Sequence, residues 1–207
     1  MDTYELYQRN LSSRYDELKK FNWIDKTFTY KFNSYGFRTD NFSHKNSIMF
    51  LGCSHTCGIG LPVHETWASI VAETLELHNS NLGIGGGSLD TAFRLCHGYI
   101  DIIKPKMIIL MKPPGIRFEL LTKHTISNVN PSMTNLLYKT WSIDENNNYF
   151  NQEKNILAIQ MLCANRNIKL IVTDSSELQC TDSLARDLAH FGAESHKLVA
   201  EKLINLI

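Results

Sequence analysis

The sequence has no surplus of charge: 21 basic residues face 21 acidic ones, and the formal net charge is zero. That balance excludes the electrostatic footprint of a duplex nucleic-acid binder or of a protein drawn to anionic lipid. No basic run is longer than Lys19-Lys20. Cysteine is sparse and irregular. The five cysteines, at 53, 57, 96, 163 and 180, are odd in number and contain no CxxC pair, which argues against a zinc ribbon or a disulfide framework. Nowhere do about 18 apolar residues follow one another, so no membrane span is expected. The opening stretch, Met1 to Asn10, is polar and lacks the apolar centre of a signal peptide, which makes a reducing cytoplasm the expected compartment. Internal repeats and low-complexity tracts are missing as well.

What is present is an ordinary globular composition, 43% apolar and 20% charged over 207 residues. A chain of that size buries roughly 70% of its unfolded surface and needs no staples to hold a core. Tyr4, Tyr7, Leu11, Tyr15 and Leu18 share one face of a helix expected over residues 3–21. Phe28 to Asn33 alternates like a strand and runs into an aromatic-rimmed turn at Ser34–Arg38. From residue 47 onward, short apolar runs alternate with helical stretches. The runs are Ser47–Leu51, Met107–Met111 and Lys169–Thr173, with a weaker one at Asn79–Leu82; the helices are expected at 65–77, 88–104, 151–166 and 192–206. Strand–helix alternation of this kind predicts a parallel sheet covered by helices on both faces. Residues 1–46 are expected to pack as a helix and extended segment on a domain of residues 47–207. Within that domain, residues 113–150, with Pro113-Pro114-Gly115 and Asn146 to Asn148, read as an elaborated connection.

In open α/β sheets ligands bind beyond the carboxyl ends of the strands, which singles out three loops. The first is Gly52-Cys53-Ser54-His55-Thr56-Cys57-Gly58. A serine between strand and helix would present its hydroxyl beside free amides; it could equally be a helix N-cap. The loop lacks the lysine of a phosphate-cradling loop, and Thr56 stands where a GxSxG elbow needs glycine. Cys53 is read as a packed thiol, with a nucleophilic thiol as its alternative. The second loop, Asn81-Leu82-Gly83-Ile84-Gly85-Gly86-Gly87-Ser88, lets a backbone approach a ligand or simply turns. In the third, Asp187-Leu188-Ala189-His190, a carboxylate three residues before an imidazole can fix its tautomer, although such pairs are often just solvated. Nucleophile, amide donors and acid–base pair in chain order make up the inventory of acyl transfer.

These blocks resemble those of the SGNH hydrolases, the GDSL esterase/lipase family. Gly52-Cys53-Ser54-His55-Thr56 resembles the family's first block, Asn81-Leu82-Gly83-Ile84-Gly85-Gly86 its NxGxxG block, and Asp187-Leu188-Ala189-His190 its DxxH block. Asn33 to Arg38 is similar to an NxxGFR segment ahead of the domain in some relatives. The resemblance implies a flavodoxin-like three-layer α/β/α sandwich with a mostly parallel sheet and no metal or other cofactor. It implies Ser54 as nucleophile, His190 as general base and then acid, Asp187 as its orienting carboxylate, and the amides of Ser54 and Gly86 as oxyanion donors. It further implies a serine esterase acting on a small-molecule or carbohydrate ester, an acetyl group on a sugar being the favoured substrate. An acyltransferase with the same residues, or a weakly active binding protein on the same scaffold, are the alternatives. Zero net charge offers no long-range steering and so fits an uncharged ester better than a polyanion.

The sequence departs from the family twice. Cys53 replaces the aspartate that usually precedes the serine, and the strand ending at Met111 leads into Lys112-Pro113-Pro114-Gly115-Ile116-Arg117 without the asparagine of a third block. Arg117 is the nearest substitute donor. His55, Arg117 and Trp141 are the candidate substrate contacts. Trp23 and Trp67 are expected in the core and His196 on the surface of the last helix; Arg38 is expected to hold the N-terminal segment to the domain, with lining of the cleft beside Phe37 as the alternative.

Overall fold

The computed structural model describes residues 2–43, 46–130, 132, 135–177 and 183–207; Cys180 and the end of the 113–150 connection's loop around Pro131 lie outside the described residues. Along the chain the elements are α1 (Tyr4–Ser13), α2 (Tyr15–Lys20), β1 (Ser47–Leu51), α3 (Ser54–Cys57), α4 (Trp67–Thr74), β2 (His78–Asn81) and α5 (Leu89–Ile103). They continue as β3 (Met107–Lys112), β4 (Phe118–Leu121), β5 (Ile126–Val129), α6 (Leu136–Ile143), α7 (Glu145–Ala164), β6 (Lys169–Asp174) and α8 (Ala193–Ile204).

β1 is five consecutive buried residues, which only a strand covered on both faces requires. It pairs in parallel with β2 on one side and β3 on the other, β3 pairs in parallel with β6, and the sheet order is β2-β1-β3-β6. Alternate side chains then feed two cores. Met49, Leu51, Ile108 and Leu110 meet Leu95, Ile100 and Ile159 of α5 and α7. Ile48, Phe50, Ile109 and Met111 meet Trp67, Val71, Val199 and Leu203 of α4 and α8. The result is the expected three-layer α/β/α arrangement with a parallel sheet. Strand order reverses between β1 and β3, and in such sheets the crevice at that switch point is where ligands bind.

Three expectations change. Residues 3–21 form two helices broken at Arg14, where the hydroxyls of Ser12 and Ser13 bond back to the Gln8 and Arg9 carbonyls and loosen the end of α1. Phe28–Asn33 is extended but pairs with no strand among the described residues. Its alternation serves a different purpose: Phe28, Tyr30 and Phe32 follow one another ring to ring, while the guanidiniums of Arg186 and Arg38 lie 3.9 Å over Phe28 and 4.2 Å over Tyr30. Finally, α7 starts at Glu145 rather than 151 because Asp144 caps it, its side chain accepting from the Asn147 amide.

Residues 113–150 hold the antiparallel β4–β5 hairpin, α6 and the start of α7. Asp90, in the first turn of α5, ties this hairpin down. Its carboxylate accepts from the amides of Asn151 and Asn155 and from the backbone N–H of Glu119, while Glu119 makes a two-pronged pair with Arg94.

Candidate active site

The floor of the switch-point crevice is the loop after β1. The helix N-cap there is Cys53, whose side chain makes no capping bond, and Ser54 is the first helical residue; the hydroxyl is therefore not committed to capping. Cys53 is 1% exposed, a packed thiol. The adjacent loop after β2 is bonded to this one through Asn81, whose Nδ2 donates to the Thr56 carbonyl at 2.7 Å and whose Oδ1 accepts from the Gly83 amide at 2.9 Å. Gly83 lies so close to α3 that a Cβ there would stand 2.5 Å from the Cys57 nitrogen. Two residues on, the situation reverses. A Cβ on Gly85 or Gly86 would meet nothing within 4 Å, and Gly86 has φ +75, a conformation glycine adopts freely. The amides of Ser54 and Gly86 find no acceptor among the described residues, so both remain available to a ligand.

The third loop is a tight turn closed by the Ala185 amide on the His190 carbonyl, with Leu188 held at φ +54. Its left-handed backbone is unusual for leucine and is kept in place by burial beside Tyr7, Leu18, Trp23 and Leu61. Asp187 organises the turn: Oδ1 accepts from the amides of Ala189 and His190, and Oδ2 lies 2.6 Å from His190 Nδ1. Burial alone would raise the Asp187 pKa, but the His190 ring and those two amides outweigh it and hold the carboxyl below its ordinary value.

Ser54, Gly85, Gly86, His190 and Arg117 line one cavity of about 640 Å³, whose far wall is Tyr30, Phe32 and Gly36 of the N-terminal segment. The Ser54 hydroxyl makes no hydrogen bond among the described residues; it and the imidazole face the same space. Sequence reasoning reached this N-terminal wall only through Arg38, which lines the cavity, and missed Tyr30 and Phe32, whose aromatic alternation reads as a strand. Asp2 belongs to it too, its carboxylate accepting from Tyr30 Oη at 2.8 Å and paired with Arg186 at 2.7 Å. Arg38 fastens this wall as expected: its guanidinium donates to the Cys57, Gly58 and Leu61 carbonyls.

Other candidates sit elsewhere. His55 does not line the cavity; its ring packs edge-on behind His190, centroids 5.2 Å apart, and against Phe191. Burial, then the nearby His190 and Arg117, press its pKa down to about 4. Trp141 packs on Phe118 of the hairpin, 4.2 Å between centroids, away from the cavity. Trp23 and Trp67 are core residues. His196, expected on the surface, is 1% exposed: its Nδ1 accepts the Trp67 amide at 3.1 Å, and burial followed by the neighbouring His55 and His190 lowers its pKa to about 3. One turn of α8 carries it inward, onto the orphan amide at the start of α4.

No family model and no curated protein matches the sequence. Among solved structures, the chain is similar to a protein described as lipolytic and of the G-D-S-L family from Desulfitobacterium hafniense, at 13% identity and a TM-score of 0.43 over 79% of this chain and 100% of that one. It is also similar to a psychrotrophic esterase from Pseudoalteromonas, at 12% identity and 0.42 over 78% and 96%. A third is an acetyl xylan esterase from Butyrivibrio proteoclasticus, at 11% identity and 0.40 over 83% of this chain and 65% of that one.

Proposed function

We propose that the chain is a metal-independent serine hydrolase that cleaves a carboxylic ester through an acyl-enzyme. The observation that carries this reading is the convergence on one cavity of an uncommitted Ser54 hydroxyl, two unpaired amides and the His190 ring backed by Asp187.

Asp187 holds the proton on Nδ1, which leaves Nε2 of His190 as the acceptor. Ser54 Oγ attacks the ester carbonyl while its proton passes to Nε2. The tetrahedral oxyanion is held by the amides of Ser54 and Gly86. His190 then returns the proton to the departing alcohol, giving the acyl-Ser54 ester. Water attacks this ester as His190 takes its proton, the acid is released and Ser54 regains its hydrogen. The serine–histidine hydrogen bond forms once substrate occupies the cavity, as catalytic contacts commonly tighten on binding. A small acyl group, such as acetyl on a carbohydrate, is the substrate this reading favours.

A fluorophosphonate probe should label the native protein and not Ser54→Ala, and turnover of p-nitrophenyl acetate should fall by about three orders of magnitude or more in that variant. Equal labelling of both proteins, or of neither, would overturn the mechanism. Asp187→Asn should fold normally and lose about 10³–10⁴ in kcat through the wrong imidazole tautomer.

A further inference from the structure

Among the described residues, the proposed catalytic cavity carries a positive charge that no carboxylate compensates. The one carboxylate among the described residues that line it, Asp2, is already matched by Arg186 and by the Tyr30 hydroxyl. Two guanidiniums line the same space, Arg38 and Arg117, and neither pairs with a carboxylate among the described residues. They differ in how their charge is satisfied. Arg38 is almost wholly buried and spends its Nη atoms on three backbone carbonyls, so it serves the wall. Arg117 is half-buried, donates to nothing among the described residues, and has an enclosed Nη1 with no partner. A buried guanidinium nitrogen left unpaired is costly, and a planar fork without a partner matches a carboxylate.

Its position is equally telling. Arg117 leaves the loop after β3 and Ser54 the loop after β1, so the two face each other across the switch-point crevice. The Glu119 bonds to Arg94 and Asp90 hold β4, which Arg117 directly precedes. Arg117 and His190 line the same cavity, and on the proposed mechanism it is His190 that protonates the departing alcohol.

We propose that Arg117 is the specificity residue of this cavity and that the substrate is an ester whose alcohol portion bears a carboxylate, held by the Arg117 guanidinium while its acyl group lies on Ser54. This rests on the serine-hydrolase reading for the reacting atoms, but the anion site stands on its own charge balance. Formal neutrality of the whole chain does not bear on it, because among the described residues the acids other than Asp2 do not line the cavity.

The test compares para-acetoxybenzoate with para-acetoxybenzamide, which share an acetyl group and differ in charge. The native protein should favour the acid by about tenfold or more in kcat/KM, the range of one charged hydrogen bond. That preference should fall toward unity in Arg117→Gln and be partly kept in Arg117→Lys. A native protein without preference, or a preference that survives Arg117→Gln, overturns the proposal. A loss in kcat equal for both esters would make Arg117 an oxyanion donor instead and also overturn it. If neither ester is turned over, the hydrolase reading fails, and calorimetric titration with para-hydroxybenzoate against para-hydroxybenzamide still decides the anion site. Tighter binding of the acid by the native protein, lost in Arg117→Gln, sustains it; equal binding sinks it.

Discussion

The two sides of the cavity in front of Ser54 are held by different forces. The floor, Gly52 to Cys57 and Asn81 to Gly86, is positioned by backbone atoms in near contact, with a two-layered apolar core beneath it. The opposite walls, the N-terminal segment and the Arg117 loop that leads into the β4–β5 hairpin, are fastened by side chains: Arg38 to three carbonyls, Arg186 to Asp2, Asp90 to the hairpin and α7. Packed backbone has one arrangement and tolerates no added atom, whereas a side-chain tie can be removed singly at a cost near one hydrogen bond. On the proposed reading, the floor holds the nucleophile and the oxyanion donors, and the walls hold Arg117, the group proposed to choose among esters.

The largest expected effect breaks the floor. Gly83→Ala places a methyl group 2.5 Å from the Cys57 nitrogen, against backbone that cannot yield. It should cost about 3 kcal/mol in urea unfolding and leave below about 1% of esterase activity, since α3 and the Gly86 loop must separate. Near-native activity would mean that the two loops are not rigidly coupled.

A smaller effect should come from loosening a wall. Asp90→Ala removes the acceptor shared by Asn151, Asn155 and the Glu119 amide, costing about 1–3 kcal/mol. Amide exchange should quicken across Phe118–Val129 but stay slow in β1. The acid-over-amide preference should shrink several-fold, while fluorophosphonate still labels Ser54. Equal acceleration in β1 would erase the distinction between floor and wall.

The smallest effect sharpens the comparison from behind the floor, where His196 is held neutral. Its folded pKa of about 3 lies below the ordinary histidine value, so its stabilising contribution is complete above about pH 6.5 and is lost as pH falls toward 3. Each histidine in that position adds a slope of about 1.4 kcal/mol per pH unit, and His55, with a pKa of about 4, adds a second. His196→Asn keeps an acceptor for the Trp67 amide but does not titrate. Urea unfolding between pH 6.5 and 5 should therefore flatten by about one proton's slope; an unchanged slope would show that His196 does not stay neutral in the fold.

Much of the floor was legible because its determinants are local. Strands buried on both faces read as unbroken apolar runs, and Ser47–Leu51 was delimited to the residue. The glycines of the second loop and the Asp187–His190 spacing are chain-local as well, so they mark their loops without any knowledge of the fold. The walls were legible only at Arg38. Phe28–Asn33 carries a strand's alternation, but the partners that set it, Arg38 and Arg186, come from distant parts of the chain. His196 looked solvated since helical spacing does not reveal that the start of α4 lies against it.

By itself, then, the sequence determined the order of the four sheet strands and the helices that cover them, the parallel α/β layering and the three loops at the strand ends, all consequences of short-range pattern and burial. Only the tertiary structure decided which charges are compensated. Net charge sums over the whole chain, but a field inside a cavity depends on which acids stand within a few ångströms of which bases. That pairing left Asp2 neutralised and Arg117 without a carboxylate partner among the described residues, and with it the character of the space in front of Ser54.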